Sequence, residues 1–235
     1  MLKLIKLEWK KNNIGKYIRN AVILAALICL FIFGLTFWGM AIDPDTGTLD
    51  APPGYDVISC IIELISNMSF ICFTGTMLAS FIVSAYKNKT INLMFSYPVK
   101  RQKILISQML AVWIFNFTAL VLTKLFIYIC ILLGSHCMQS AFKLDFNIGS
   151  LTFYLQLFIS SAVMVSTGYI ALFIGLITKS SKAAVIASVV IMFLTHGNIG
   201  ELTLANNTVF FVVLVLISLI FAILSIYDAE TKDLV

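Results

Sequence analysis

Apolar runs long enough to cross a bilayer alternate with short polar intervals along nearly the whole chain. They fall at about 20–42, 57–86, 104–134, 151–178, 182–199 and 208–227. A helix rises 1.5 Å per residue, so about 30 Å of hydrocarbon takes about 20 residues. The pattern therefore predicts an all-α integral membrane protein, a single transmembrane domain over 1–235 with about six spans. The second and third runs exceed that length and should tilt or project into water. The fifth starts late, at Ser181 and Lys182, and Gly197 and Gly200 end it early, which predicts a short or broken span. No soluble domain, low-complexity tract or clear repeat interrupts the series.

The first residues, MLKLIKLEWKKN, have a different periodicity. On a helix Lys3, Lys6 and Lys10 share one face, and Leu2, Ile5 and Trp9 share another. Within 1–19 this predicts an interfacial amphipathic helix lying on a leaflet. The plainer alternative is a frayed basic lead-in that only orients the first span. The apolar run from Ala21 to Ile42 is too long for a signal-peptide core, and no small-residue cleavage pattern follows, so it is expected to stay as a span.

Composition strengthens the membrane reading. The chain is 60% hydrophobic and 11% charged, against about 25% charged in ordinary soluble domains. Its net charge of +5 is spread between apolar runs, which suits anionic lipid headgroups better than nucleic acid. The basic residues are also asymmetric. The lead-in holds Lys3, Lys6, Lys10, Lys11, Lys16 and Arg19. The interval after the second run holds Lys87, Lys89, Lys100, Arg101 and Lys103, that after the fourth holds Lys179 and Lys182, and Lys232 lies in the tail. The alternate intervals contain only Lys143, and the first of them carries Asp43, Asp45, Asp50 and Asp56. The basic side is expected in the cytoplasm, with both termini there. Cys29, Cys60, Cys72, Cys130 and Cys137 show no C-x-x-C spacing and read mainly as packing residues. Cys60 and Cys137 both fall towards the far side, which leaves their pairing open.

The most informative interval is Lys87 to Lys103, KNKTINLMFSYPVKRQK. Ile91, Leu93, Met94 and Phe95 form an apolar cluster before Pro98, which disfavours helix at Tyr97 and predicts a turn. Such a short amphipathic helix needs a cover, either the leaflet or a cytoplasmic protein. The pattern Thr90-x-x-Leu93-x-x-x-x-Pro98-Val99-x-Arg101, between two long spans, resembles the cytoplasmic coupling segment of type-2 permeases of ATP-binding-cassette transporters. The six-span layout, amphipathic entry helix and cytoplasmic termini extend the resemblance over nearly the whole chain. The small permeases of bacitracin-resistance, lantibiotic-immunity and peptide-toxin export systems are the most similar kind. Those loops often carry an acidic residue before the threonine, where this chain has Lys87, Asn88 and Lys89.

The resemblance implies a coupling helix formed by Thr90, Leu93, Met94, Phe95, Pro98 and Arg101, docked on a separate ATPase subunit. That partner would bind ATP and Mg, leaving no cofactor in this chain. It further implies a second permease copy, identical or related, a bacterial plasma membrane, and an amphipathic or hydrophobic cargo such as an antimicrobial or toxin peptide. The chain itself has no G-x-x-x-x-G-K-[ST] loop; Gly15-Lys16 lacks the upstream glycine. The competing reading is a non-transporting sensor or immunity protein that binds a peptide or lipid. An intramembrane enzyme is a third class, for which no catalytic constellation stands out.

Two charges sit inside apolar runs, Glu63 in the second and Lys124 in the third, at similar depth. A lysine at a span's centre costs about 2.5–3.5 kcal/mol on insertion scales. Pairing with Glu63 would offset this, as would snorkelling to headgroups. The Asp43-Pro-Asp45-Thr-Gly47-Thr-Leu-Asp50 stretch misses the calcium-loop pattern, with glycine at the fifth position instead of the sixth. His136 and His196 lack the spacing of metal ligands. Gly75/Ala79, Ser80/Ser84, Ala162/Ser166 and Ala171/Gly175 place small residues four apart, which predicts close helix packing.

Overall fold

The structure is a computed structural model that describes residues 2–37, 57–87, 101–137, 150–196, 198–199, 202–203 and 208–231. Thr90, Leu93, Met94, Phe95 and Pro98 of the coupling segment lie outside these residues, as do the Asp43–Asp50 stretch, Lys143 and Lys232.

The described chain is helical apart from a two-residue ladder. Helix α1 covers Leu2–Lys11 and α2 Ile14–Phe37. Helix α3, Val57–Leu78, continues through a π-turn at Ala79–Val83 into α4, Ser84–Lys87. Then follow α5 at Arg101–Cys137, α6 at Leu151–Ile177, α7 at Ser181–His196 and α8 at Thr208–Thr231. Strands β1, Asn198–Ile199, and β2, Leu202–Thr203, pair antiparallel between α7 and α8. Four stretches are long and apolar enough to cross a membrane: Ile14–Leu35, Ile58–Tyr86, Gln102–Gly134 and Leu151–Ile177. The chain is thus an all-α membrane protein with these four candidate spans.

The boundaries differ from the sequence pattern in physically explicable ways. Between α1 and α2, Asn13 takes a left-handed conformation, φ 50°, which asparagine tolerates better than most residues. The helix restarts at Ile14, so Lys16 and Arg19 ride on α2 instead of preceding it. Helix α7 ends at His196 and the ladder takes residues 198 and 199, cutting the expected fifth stretch short between Gly197 and Gly200. At the other end of α7, Lys179 is left-handed, φ 48°, and Ser180 N–H reaches back to Gly175 O at 3.2 Å. This closes α6 and lets α7 begin at once.

The chain divides into two compact units. The first comprises 1–14, 70–117 and 162–235. Its core uses small residues to bring backbones together, as lipid-soluble helix pairs require. A Cβ on Gly75 would meet the Ser188 side chain, and one on Gly175 would meet Ala184 and Val83. Ala171, Ala187 and Ile191 pack beside these approaches, and Phe173 meets Phe221 at 5.1 Å. The second unit comprises 15–69 and 118–161. Ile28, Ile32, Ile62, Leu120, Ile127 and Leu157 are buried in it, and Tyr128 meets Phe153 edge to face at 4.9 Å.

Candidate functional site: a buried ion pair and its hydroxyl

The buried face of α5 steps every four residues through Gln108, Val112, Asn116, Leu120 and Lys124, each at most 1% exposed. Residues four apart form one ridge of a helix, so the polar members Gln108, Asn116 and Lys124 all turn away from lipid. Each therefore needs a partner, because an unmet polar group is costly where no water competes.

Lys124 finds its partners within the second unit. Its Nζ lies 3.5 Å from Glu63 Oε1 and donates to Ser160 Oγ at 3.4 Å. Ser160 donates in turn to Glu63 Oε2 at 3.3 Å and accepts from Asn67 Nδ2 at 3.4 Å. One hydroxyl on α6 thus links a carboxylate, an ammonium and an amide from α3 and α5, using its donor and both acceptor positions. Asn67 reaches the cluster because it lies one turn beyond Glu63 on α3. Lys124 is fully enclosed, whereas the Glu63 side chain keeps 20% of its surface exposed, so the carboxylate is the accessible member. Asn67 Oδ1 and Ser66 Oγ are buried with no hydrogen-bond partner among the described residues.

The distance from Ser160 to Lys124 would also suit a serine–lysine nucleophile and base. Ser160 Oγ also lies 3.3 Å from Glu63 Oε2, a carboxylate that can only accept, so the three groups form one charge-holding network. Among the described residues no group of three or more His, Cys, Asp or Glu could hold a metal. His196 bonds locally, with Nδ1 at 2.9 Å from Thr195 Oγ1. Cys29, Cys60, Cys72 and Cys130 are free thiols; the Cys137 side chain lies outside the description.

In the first unit, α1 is fastened to α5 by polar contacts. Gln108 Nε2 donates to Glu8 Oε1 at 3.3 Å, and Trp9 Nε1 donates to the Ala111 carbonyl at 3.1 Å. Ile5 and Glu8 are buried while Leu7 is exposed. Of the stripe expected on a leaflet, Ile5 is therefore covered by protein while Trp9 stays half-exposed, and an acid sits within it. The Leu2 side chain lies outside the description. Higher on the same ridge, Asn116 donates to Val112 O at 2.9 Å and to Met77 Sδ at 3.3 Å; beside the ridge, Trp113 donates to Ser166 Oγ at 3.2 Å.

Of the residues singled out in sequence, Glu63 and Lys124 are brought together, and Arg101 opens α5. Asn67, Ser160, Glu8 and Gln108 were missed. The signal for Asn67 was its four-residue spacing from Glu63, and for Glu8 its being the one acid in a basic helix. Ser160 had none, since serines recur throughout these spans.

An uncharacterized protein of Bacillus subtilis (strain 168), YcbO, is similar from end to end. It is 26% identical over 237 residues, covering 99% of this chain and 100% of the relative. No family model matches the chain, and no solved structure matches it.

Proposed function

We propose that this chain is the membrane-spanning permease subunit of an ATP-driven exporter of the ATP-binding-cassette type, with an amphipathic or hydrophobic cargo such as a peptide. The observation that best supports this reading is the attachment of α1 to the beginning of α5. Glu8 and Trp9 grip Gln108 and Ala111, within three turns of Arg101, where the coupling-like segment enters the helix. A force applied to that segment would move the entry helix and α5 as one body, the rigid-body transmission that a permease driven by a separate ATPase requires. At 37 residues, α5 is roughly 55 Å long, well over the hydrocarbon thickness. It has length to spare for a handle outside the membrane.

On this reading the chain makes six crossings of a bacterial plasma membrane, with α7 and α8 as the fifth and sixth, and both termini and the 87–103 segment in the cytoplasm. Two copies, identical or related, would frame the pathway, following the usual two-fold arrangement of oligomers. The test is co-purification with a candidate ATPase partner encoded beside the gene. The wild-type chain should retain the ATPase. Leu93→Asp and Arg101→Glu should lose it while remaining monodisperse in detergent. Retention by both variants would remove the assigned docking segment. Absence of any bound ATPase, with no stimulation of its hydrolysis by reconstituted permease and peptide, would favour the non-transporting binder.

A further inference from the structure

Within the first unit, an open groove of about 530 Å³ runs between the π-turn region of α3 and α4 and the start of α7. One wall carries Thr76, Ser80 and Ser84, spaced four apart so that their hydroxyls follow one face. The other carries Ser181 and Lys182, then Val185 and Ile186 one turn further on. The groove is therefore mostly apolar, with the Lys182 cation and the Ser84 and Ser181 hydroxyls at one end and aliphatic side chains along α7 beyond it.

Three features of this groove fit an anion with an apolar tail. Lys182 is exposed and forms no ion pair with any described residue, and among the described residues no carboxylate lines the groove. The first helical hydrogen bond of α7 is Ala184 N–H to Ser180 O, 3.3 Å, so the N–H groups of Ser181, Lys182 and Ala183 precede it. Thr76 already donates to Phe73 O at 2.8 Å, which leaves Lys182, the Ser84 and Ser181 hydroxyls and the first amide hydrogens of α7 at the groove's end as the set that suits phosphate oxygens. The walls also keep their shape: the close approaches of Gly75 to Ser188 and of Gly175 to Ala184 and Val83 hold α3, α6 and α7 together beside it.

We infer that this groove binds the headgroup of an anionic phospholipid, with Lys182 as counter-charge and an acyl chain along Val185 and Ile186. Basic pockets between membrane helices recognise acidic headgroups in this way. The commitment to lipid follows from the groove's openness and from the exposed apolar surface of Ile186 beside the charge; a soluble phosphate would gain nothing from that wall. The inference stands apart from the exporter reading, because it needs only the groove and a bilayer.

Native mass spectrometry of the full chain, with phosphatidylglycerol and phosphatidylcholine added at equal concentration, tests it. Phosphatidylglycerol should be retained preferentially. Lys182→Gln should lower its occupancy about five-fold, the contribution of one lysine beside an anionic lipid, and leave phosphatidylcholine unchanged. Ser80→Phe, which fills the groove without altering charge, should remove the same adduct. Lys16→Gln, on α2, should not. Equal retention of the two lipids, persistence of the preference in Lys182→Gln or Ser80→Phe, or an equal loss in Lys16→Gln would each overturn the assignment.

Discussion

At the level of single side chains, the chain's main energetic exposure is Lys124. Enclosed completely, it is tolerable only with Glu63 and Ser160 in place, because removing one member of a buried pair leaves the other's charge uncompensated. Glu63→Gln should therefore lower stability by roughly 3 kcal/mol. Lys124→Met added to it should recover part of the loss, since no orphaned charge then remains. Unfolding in mixed micelles, run as a double-mutant cycle, should give a coupling of about 1–3 kcal/mol; additive losses would mean that the pair does not hold the unit together. Gly75 makes a second local demand. Gly75→Ala should cost about 1–3 kcal/mol by overpacking against Ser188, and Ser188→Gly should relieve it in the same assay. The charges were legible in the sequence because a lysine and a glutamate stand out in apolar runs. Asn67 and Ser160 were not, because neutral polar residues in membrane helices usually satisfy themselves locally. Ser161 does so here, donating to Leu157 O at 2.7 Å.

At the level of elements, hydropathy located the helices well and their covers poorly. A stripe such as Leu2, Ile5 and Trp9 shows that a helix has a side to hide but does not say whether lipid or protein hides it. The answer lay in Glu8, whose carboxylate is acceptable on that side because Gln108 donates to Oε1 at 3.3 Å while Lys11, at 3.9 Å, and Asn12, at 3.5 Å, meet Oε2. Glu8→Ala should leave the Gln108 amide short of a partner and loosen α1 at a cost of about 1–2 kcal/mol. Hydrogen exchange should then quicken across Leu4–Lys11 while the central turns of α5 keep their protection; unchanged exchange in α1 would mean that packing of Ile5 and Trp9 alone holds it. The π-turn was equally hidden in sequence. Ser84 N–H bonds Ala79 O, widening one turn where Val83 abuts Gly175. Wide turns of this kind recur at functional positions in helices, and this one borders the groove proposed for lipid.

For the whole molecule, the number of crossings turns on α7 and α8. Helix α7 has 16 residues, about 24 Å of rise against roughly 30 Å of hydrocarbon. On length alone it falls short. Its surface argues the other way: Ala184, Ala187, Ser188 and Ile191 are buried on one side, while Ile186, Val190, Phe193 and Leu194 are exposed on the other. An exposed apolar side of that extent is stable only against lipid or another chain. Local thinning accommodates a short span at a fraction of a kcal/mol per Å, much less than leaving four large apolar side chains in water. Helix α8 shows the same character, with Leu216, Leu219, Ile220 and Ile223 exposed. Both helices should therefore cross, placing the turn between them opposite the basic residues Lys179 and Lys182. Single cysteines at Lys89, Lys179, Asp45 and Glu201 in a cysteine-free background, treated in intact cells with a membrane-impermeant maleimide, distinguish the alternatives. Six crossings predict labelling at Asp45 and Glu201 alone. Four predict labelling at Asp45 with Glu201 protected, and α7 and α8 would then lie along the surface, where their apolar sides would need a second protein to cover them.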